Sequence, residues 1–428
     1  MNWKSVTIGD TCMRTKQRDP RTTPGEKFSY IDISGIDREA KCITESQQLI
    51  GAEAPSRARK VVKASDILVS TVRPNLNAIA MVPHELDGQI ASTGFCVLRA
   101  DHEQITPRFL FYKAMTPEFV NYLTARVRGA NYPAVTDGIV KSAPLLLPAS
   151  SEQTRIVEIL DQANQLRKLR AEADKKAERI LPALFIKMFG NPAMHSNSAD
   201  PVPLGQLVII NPKKSELKCG TLKDDDLVSF MPMNAIDDRW GRITTYATKP
   251  LAEVSTGYTY FREGDVLFAK ITPCMENGKA VIASTLNNGV GFGSTEYHVL
   301  RARPAVSPEW IYGLIRLPIF RQLAKARFTG AVGQQRVPAN FLESFMVPKP
   351  GKDEVIKFSE ITQSFHLHIE RAEQTSNRLN TLFSLLLHKA FSGELTATWR
   401  EAHMKELLEE MEHQTKNISA AVHEIAEL

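Results

Sequence analysis

The feature that most constrains the fold is the longest helical pattern in the sequence, residues 152–190. Its apolar residues recur every three or four positions, which is the spacing of a coiled-coil seam, and charges of both signs cover the other faces. The predicted seam comprises Ile156, Ile159, Ala163, Leu166, Ala173, Ala177, Ile180 and Leu184. A single apolar stripe cannot bury itself, so this helix requires a partner helix.

Three details qualify this helix. Ser150 and Ser151 supply a capping signal at its start, Gly190 a stop signal at its end, and Pro182 a position for a kink. Arg170 is the one charged residue in the predicted seam. It either fixes the register against the partner helix or extends its guanidinium to solvent.

The chain repeats itself with an offset of about two hundred residues. Residues 65–69, 91–99 and 128–130 correspond, in the same order, to residues 264–268, 293–301 and 329–331. The second half also ends in a helical pattern, residues 353–391. Its stripe is Phe358, Phe365, Ala372, Leu379 and Leu386, supported by Ile361, Ile369, Leu382 and Phe383. This second helix is the natural partner of the first.

The repeat predicts two α+β blocks and two long antiparallel helices. Strands are predicted at 66–72, 78–82, 95–98, 265–269, 280–282 and 297–300, and helices at 107–123 and 308–325. A helix of this length extends roughly 55 Å, at 1.5 Å per residue. We therefore expect the two blocks to lie about 50 Å apart and to be related by a pseudo-twofold axis.

Composition indicates an ordinary globular protein. Of 428 residues, 43% are hydrophobic and 24% are charged, and the five cysteines show no metal-binding spacing, as expected of a reduced cytoplasmic chain. No apolar run reaches the length of a membrane span. Residues 1–149 and 191–350 each have a net charge of +4, whereas residues 399–428 have −4. Two basic blocks permit a polyanionic partner without requiring one.

Catalytic and metal-binding motifs are absent from the pattern of the sequence. Residues 289–293 are glycine-rich, but neither a strand before them nor a helix after them is predicted, so a loop is favoured over a phosphate site. His366 and His368 are two positions apart, so on a helix they face different directions and cannot share a metal. We therefore predict no catalytic residue and no metal site on this chain.

The polar loops of both blocks instead suggest nucleic-acid binding, because they combine cations with amide and hydroxyl side chains that contact phosphates and base edges. The candidates in the first block are Arg14, Lys16, Thr71, Arg73, Asn75, Asn77, Asn131 and Tyr132; those in the second are Lys270, Thr272, Asn277, Lys279, Ser294, Thr295, Gln334, Gln335 and Arg336. The clusters at Arg73 and Lys270 follow equivalent strands. Those at Asn131 and Gln334 follow equivalent Gly-Ala turns.

The chain resembles the specificity subunit of type I restriction–modification enzymes over nearly its whole length. The resemblance rests on residues 66–74, 129–133 and 145–153 in the first half, and on residues 265–273, 275–279, 391–395 and 398–400 in the second. It implies a first target recognition domain (1–149), a spacer helix (150–190), a second target recognition domain (191–350) and a second spacer (351–398). The acidic tail (399–428) extends past the usual end of the family.

The resemblance also implies partners. Each recognition domain would read one half of a split site in double-stranded DNA, and the spacers would act as a ruler and dock two methyltransferase subunits, which motor-nuclease subunits then join. S-adenosylmethionine, ATP and Mg would bind to those partners, leaving this chain without cofactors. The residues implied in docking are Glu152, Gln153, Ile156, Phe185, Phe189 and Phe391. One departure is that the second spacer begins around Glu354 without a counterpart of Gln153.

Two other function classes remain as alternatives to DNA recognition. A protein-binding scaffold would lack the steep salt dependence of phosphate contacts. An enzyme with an unrecognised cofactor site would bind S-adenosylmethionine without its partners.

Overall fold

The computed structural model describes residues 3–129, 133–194, 201–217, 222–331 and 333–412. These form two compact units: one contains the chain up to Leu169 together with the part from Asn377 onward, and the other contains Arg170–Ser376. Both boundaries fall inside long helices, so each unit includes part of both helices as well as one globular block. Among the described residues, no helix has the length and apolarity needed to cross a membrane.

The first unit contains a mixed sheet, an antiparallel sheet and two two-stranded pairs. Its strands are β1 (Lys4–Thr7), β2 (Cys12–Met13), β3 (Lys27–Ile31), β4 (Ile36–Asp37), β5 (Cys42–Ile43), β6 (Gln47–Ile50), β7 (Ala58–Val61), β8 (Ile67–Ser70), β9 (Ile79–Met81), β10 (Ile90–Ser92), β11 (Phe95–Ala100) and β12 (Pro144–Leu147). The sheets have the orders β6-β3-β10-β7 and β2-β11-β8-β9, while β1 pairs with β12 and β4 with β5. Strands β3 and β10 are parallel.

The second unit repeats the two four-stranded sheets and the pairing of the first strand with the last, whereas an isolated bridge between Ile236 and Ile243 stands in place of the β4–β5 pair. Its strands are β13 (Pro201–Pro203), β14 (Val208–Ile210), β15 (Leu227–Met231), β16 (Ala247–Pro250), β17 (Thr259–Arg262), β18 (Val266–Ala269), β19 (Ala280–Ile282), β20 (Val290–Gly293), β21 (Tyr297–Ala302) and β22 (Met346–Pro348). The orders are β16-β15-β20-β17 and β14-β21-β18-β19, with β13 paired to β22 and β15 parallel to β20. The predicted repeat and the α+β class are confirmed.

A buried ion pair explains part of the repeat in the sequence. Arg99 on β11 donates from Nε and Nη2 to the Asp66 carboxylate at 2.9 and 2.7 Å. In the second unit, Arg301 on β21 binds Asp265 in the same way, at 2.7 Å for both contacts. Removing one partner of such a pair leaves a buried charge uncompensated, which is costly. The repeated Asp and Arg therefore hold each scaffold together.

The glycine-rich segment 289–293 belongs to the scaffold as well. The expectation of a loop is wrong, because residues 290–293 form β20, the middle strand between β15 and β17. A Cβ on Gly291 would lie 2.1 Å from the Phe261 ring, and one on Gly293 would lie 2.4 Å from the Met231 carbonyl oxygen. The glycines are needed because neighbouring groups approach the strand closely.

The helices of the first unit are α1 (Pro107–Met115), α2 (Pro117–Thr124), α3 (Asp137–Lys141), the start of α4 (Ser150–Ala177) and α12 (Ala397–Ala402). The second unit contains α5 (Ile180–Phe189), α6 (Leu204–Leu207), α7 (Leu251–Val254), α8 (Pro308–Arg316), α9 (Pro318–Lys325), α10 (Ala339–Ser344) and the start of α11 (Lys352–Ser392). The single helices expected at 107–123 and 308–325 are each two helices. Pro117 and Pro318 stand at the first position of the second helix, where proline is tolerated because no helical N–H is required there.

The first long helix is interrupted, and the second is not. Helix α4 ends at Ala177 and α5 begins at Ile180, so the helix is interrupted at residues 178 and 179, just before Pro182. Proline lacks the N–H that would bond the carbonyl of residue 178, and its ring clashes with that carbonyl in a regular helix. Helix α11 runs through 41 residues without a break, as predicted from the sequence.

The buried stripe of the first helix departs from the predicted seam after Ala163. Leu166, Ala173 and Ile180 are exposed. The buried positions are Glu152, Gln153, Ile156, Leu160, Asp174, Leu181, Phe185 and Phe189. A polar residue, Asp174, therefore lies in the middle of the buried stripe. The apolar spacing could not identify it, because that spacing selects hydrophobic residues only. On α11 the stripe is largely as predicted, except that Leu382 is exposed.

Within each unit the two long helices run antiparallel. In the first unit, Arg167 donates from Nε to Asn380 Oδ1 at 2.8 Å, while Glu152, fifteen residues earlier, bonds Thr396. In the second unit, the rings of Phe185 and Phe189 lie 5.5 and 5.4 Å from that of Phe358. The helices also form part of each globular core rather than a separate coiled coil, since Ile156 and Leu160 belong to one cluster with Phe109 and Phe383.

Two further sequence questions have structural answers. Arg170 forms an ion pair with Asp174 on its own helix, so its guanidinium is held rather than extended to free solvent. Residues 404–412 are helical, and Glu410 Oε2 accepts a hydrogen bond from Ser151 N–H at 3.0 Å. The described part of the acidic tail thus caps the start of α4, as a carboxylate at a helix N-terminus does favourably.

Candidate nucleic-acid interface

In the first unit, the loop that follows β8 is fastened to the segment before α3. Residues Val72 and Ala134 form an isolated β-bridge, Arg73 N–H donates to the Pro133 carbonyl at 2.8 Å, and Val135 N–H donates to the Thr71 carbonyl at 2.9 Å. Arg73 has a φ of 48°, a left-handed conformation that is unfavourable for arginine and is maintained by these contacts. The loop therefore has a fixed backbone.

The second unit fastens the equivalent loop in the same way. Ile271 and Arg336 form the bridge, Thr272 N–H donates to the Gln335 carbonyl at 3.0 Å, and Val337 N–H donates to the Lys270 carbonyl at 2.9 Å. The structure therefore brings together, in each unit, the loop after the strand and the segment after the Gly-Ala turn. Sequence reasoning had named both segments without predicting that they pair.

A cleft of about 510 Å³ lies beside this loop in the first unit. Arg38, Arg57 and Arg73 surround it, and its apolar wall includes Ile33 and Leu76. Among the described residues, none of the three guanidinium groups has an ion-pair partner, and all three side chains are exposed. Three uncompensated guanidiniums at one cleft create a positive potential and offer paired N–H donors to an anion or a base edge.

The second unit carries different side chains at the same places in the fold. The position of Arg73 is taken by Thr272, that of Arg38 by Asp238, and that of Arg57, just before the edge strand, by Tyr258. Tyr258 is exposed and packs edge-on against Phe230, with ring centroids 4.8 Å apart. The two units thus share a backbone while presenting surfaces of different chemistry.

Several of the predicted DNA contacts form hydrogen bonds inside the chain. Thr71 is buried, and its hydroxyl donates to the Gly94 carbonyl at 2.9 Å. Arg336 donates from Nε and Nη2 to Glu296 at 2.9 and 2.8 Å, and this guanidinium holds the pKa of Glu296 below its usual range. Lys279 donates to the Met233 carbonyl at 3.1 Å, and Thr272 donates its hydroxyl to Glu276.

The remaining candidates differ in exposure. Ser294 accepts a hydrogen bond from Glu296 N–H at 3.2 Å, and Asn77 has a φ of 45° while its carbonyl accepts from Lys41 Nζ at 2.6 Å. Exposed candidates are Arg14, Lys16, Arg73, Asn75, Asn277, Thr295 and Gln334, and half-buried ones are Lys270 and Gln335. Asn131 and Tyr132 lie outside the described residues. Sequence reasoning missed Arg38 and Arg57, for which loop position alone was the available signal.

The residues implied in partner docking lie inside the chain. Glu152 is 2% exposed, and its carboxylate accepts from Trp3 Nε1 at 2.9 Å, Thr396 Oγ1 at 2.6 Å and Arg400 Nε at 2.8 Å. Gln153 is fully buried and binds Thr106 N–H and the carbonyls of Gln104 and Pro148.

The apolar members of that set are also internal. Ile156, Phe185 and Phe189 are buried, and the partly buried Phe391 packs against Phe109 with ring centroids 5.0 Å apart. This corrects the expectation that these side chains face a partner, because their surfaces are already covered by this chain. In the second unit, the Glu354 carboxylate accepts a hydrogen bond from the nearby Gly351 N–H, and among the described residues the internal network of Gln153 has no counterpart there.

Metal-ligating side chains do not cluster: in the described ranges, no three His, Cys, Asp or Glu residues are placed to hold an ion. His366 packs against the Tyr312 ring with centroids 5.3 Å apart, whereas His368 is exposed.

Comparison with known proteins adds an independent line of evidence. Residues 1–179 match the family described as the type I restriction modification DNA specificity domain. The chain is 35% identical over 212 residues to the type I restriction enzyme EcoEI specificity subunit of Escherichia coli, and 33% identical over 208 residues to the EcoAI specificity subunit of the same species. These alignments cover 49% and 46% of this chain, and the chain spans about a third of each relative's length, 34% in both cases.

A solved structure extends the likeness to nearly the whole chain. It is described as the structural basis underlying complex assembly and conformational transition of the type I R-M system. It superposes with a TM-score of 0.58 at 28% identity, covering 92% of this chain and 98% of the other. The repeated scaffold, the paired loops and these matches agree: residues 1–179 match the type I restriction modification DNA specificity domain, and nearly the whole chain is similar to a solved structure of the type I R-M system.

Proposed function

We propose that this chain is the non-catalytic DNA-recognition subunit of a type I restriction–modification complex, acting in the cytoplasm, and that each of its two units reads one part of a bipartite site. The observation that carries the proposal is the pair of loops, fastened identically in both units but bearing different side chains. A fixed backbone with variable side chains suits two domains that dock alike and read different bases.

The arginine cleft would supply the contacts of the first unit. A guanidinium that lacks an internal partner can donate two hydrogen bonds to O6 and N7 of guanine, or to a phosphate. Arg73 is the strongest candidate for a base contact, because its loop is held rigidly. Such a contact discriminates against the wrong base by about 1–3 kcal/mol.

The test is selection of bound duplexes from a random pool by the assembled complex. The Arg73→Ala variant should relax the preference in one half of the site and preserve the other half. Arg155→Ala, which removes an exposed cation on α4, is the control with the same loss of charge and should select the wild-type site. An unchanged site with Arg73→Ala would refute the assignment. Affinity that is insensitive to salt would favour a protein-binding scaffold instead.

Partner docking would use exposed rather than buried side chains of the long helices. Leu166 and Leu169 on α4, and Leu382 and Leu385 on α11, are each about half exposed and lie in the first unit. Large apolar residues left exposed on helices that already pack through another face are typical of an interface. We propose that methyltransferase subunits dock on such faces, that motor-nuclease subunits join them, and that S-adenosylmethionine, ATP and Mg bind to those subunits.

Co-purification with the methyltransferase subunit tests this surface. Leu166→Glu combined with Leu169→Glu should abolish it, because two carboxylates would be desolvated at the interface. Leu146→Glu, at a similarly exposed leucine on β12, should leave it intact. If the double variant still co-purified with the methyltransferase subunit, the docking surface would not include Leu166 and Leu169.

A further inference from the structure

The second unit contains a second basic cleft, of about 590 Å³, where the break between α4 and α5 faces the junction of α8 and α9. Its walls include the apolar residues Leu181, Pro182 and Phe365. Arg316 and Arg321 form its basic wall, and both side chains are partly exposed. Neither arginine belongs to the paired loops described above.

Both guanidiniums donate hydrogen bonds to backbone carbonyls, and that of Arg316 also lies over the Tyr312 ring, 5.5 Å from its centroid. Arg316 donates from Nη1 to the Gly278 carbonyl at 2.8 Å and from Nη2 to the carbonyls of Asp238 and Arg239 at 3.2 and 2.6 Å. Arg321 donates from Nη1 to the Glu276 carbonyl at 2.7 Å, and its Nε finds no acceptor within the part of the chain that the structure describes. Among the described residues, no carboxylate lies within ion-pair distance of either guanidinium. Carbonyls orient these groups without neutralising them.

Two glycine turns fix where the guanidiniums lie. A Cβ on Gly241 would come within 2.6 Å of Arg316 Nη1, and a Cβ on Gly278 would come within 2.7 Å of Arg321 Nη1. Both glycines have positive φ, 64° and 84°, so the backbone can approach the charged groups closely. The donors are therefore positioned before any ligand arrives, which reduces the entropy cost of binding.

The charge of the cleft is unbalanced. Arg179 and Arg239 also line it, whereas its acidic residues are Glu178 and Asp238. Glu178 is already engaged, because Arg239 Nε donates to it at 2.6 Å. Four cations and two anions leave an excess of two positive charges. Burial, together with the charge of Arg316, lowers the pKa of Arg321, as expected of a cation that lacks a counter-ion.

The first unit shows that the fold does not require this pair. Helices α1 and α8 have the same length, as do α2 and α9, so Arg316 corresponds to Met115 and Arg321 to Val120. The same scaffold is therefore built with apolar side chains at both positions. The two cations are therefore specific to the second unit and are not a requirement of the shared scaffold.

We propose that this cleft binds a phosphate group through Arg316 and Arg321, with the rest of the ligand lying against Leu181, Pro182 and Phe365. Two fixed guanidiniums match the geometry of phosphate oxygens, which accept charge-assisted hydrogen bonds. The phosphate could belong to a free nucleotide or to the backbone of bound DNA. The DNA source rests on the proposed function, and the nucleotide source is independent of it.

Isothermal titration of the full chain with adenosine 5′-monophosphate, with inorganic phosphate and with a short duplex lacking the recognition site tests the proposal. The variant is Arg321→Gln, and the control is Arg303→Gln, which removes an exposed arginine of the same unit that does not line the cleft. We expect Arg321→Gln to weaken phosphate binding at least tenfold and Arg303→Gln to change it less than twofold. Arg321→Lys keeps the charge and should retain part of the affinity. It therefore separates loss of the phosphate contact from a general disturbance of the fold by the substitution.

The two sources give different results. A nucleotide site loses monophosphate affinity in Arg321→Gln while the duplex affinity stays unchanged. A DNA-backbone site shows no monophosphate binding, but Arg321→Gln lowers the duplex affinity. The slope of log affinity against log salt concentration then decreases by about one, the value for one lost phosphate contact. The proposal is overturned if Arg321→Gln and Arg303→Gln bind all three probes alike. Sequence selection by the complex would survive that outcome, so failure here is separable from failure of DNA recognition.

Discussion

Glu152 ties together three distant parts of the first unit. Its carboxylate accepts from Trp3 near the start of the chain and from Thr396 and Arg400 beyond α11, while its own backbone begins α4. Arg400 also lies over the Trp3 ring, 5.0 Å from its centroid. A buried carboxylate with three donors is fully satisfied, and losing it would leave a partly buried guanidinium unpaired.

We therefore expect Glu152→Gln to destabilise the first unit by on the order of 3 kcal/mol. The matched control is Glu158→Gln on the same helix, whose surface pair with Arg155 contributes little. Urea unfolding of both variants measures the difference. Equal midpoints for the two variants would show that the network does not stabilise the fold.

His366 is a second residue whose role follows from its surroundings. Burial, followed by the charges of Arg316 and Arg242, lowers its pKa to about 4, and Glu309 opposes this weakly. The unfolded chain binds the proton near pH 6.5, whereas the folded chain resists it. Protonation therefore favours unfolding, so the stability that depends on a neutral His366 is present above pH 6.5 and is lost as the pH falls towards 4.

Replacing His366 with Asn should remove this pH dependence. The loss of stability between pH 7.5 and 4.5 should be smaller in His366→Asn than in the wild type, by up to about 3 kcal/mol. His368→Asn, at the exposed histidine two residues along, should behave like the wild type. Chemical unfolding at both pH values provides the comparison, and parallel pH profiles for the two variants would contradict the assignment.

At the scale of elements, the sequence predicted which helices exist better than which faces they bury. The 3–4 spacing correctly identified the long helices, but Leu166 and Ile180 were assigned to a seam that instead passes through Arg167 and Asp174. Arg167 fits there because its guanidinium lies over the Phe383 ring, 4.4 Å from the centroid. Contacts of that kind depend on the partner helix, so the spacing of one helix cannot reveal them.

The same limit applies to the candidate site. The loops at Arg73 and Lys270 could be named because the repeat marks equivalent positions after β8 and β18. Arg38 and Arg57 could not, since the cleft joins segments from four separate parts of the chain. Such a cleft forms by packing between distant segments, so the pattern of residues within any one segment cannot predict it.

The corrected seam gives a test at this scale. Leu160→Ala should cost about 2–5 kcal/mol because the side chain is fully buried, whereas Leu166→Ala should stay within about 0.5 kcal/mol. Thermal or urea unfolding separates the two. If Leu166→Ala destabilised the chain as much as Leu160→Ala, the original seam would be restored.

For the whole molecule, the two unit boundaries lie after Leu169 in α4 and after Ser376 in α11. If the helices set the distance between two recognition domains, as the family resemblance implies, a length change must be made at both boundaries at once. Four residues inserted at each site add about 6 Å, at 1.5 Å per residue, which is roughly two base pairs.

Methylome sequencing should then show a bipartite motif whose central gap is longer by about two base pairs, with both half-sites unchanged. An insertion after Leu169 alone should instead impair assembly, because the two antiparallel helices would no longer match in register. An active double-insertion variant with the original gap would refute the ruler hypothesis.

The break between Ala177 and Ile180 gives the two long helices different mechanical properties. A hydrogen-bonded helix resists bending and torsion, and at the break its carbonyl ladder is interrupted. Helix α11 has no such interruption over its 41 residues. We therefore expect α11 to resist bending and twisting, and the break between α4 and α5 to bend more easily. A proline introduced into the middle of α11 would remove the stiff member and leave a molecule that flexes on both sides.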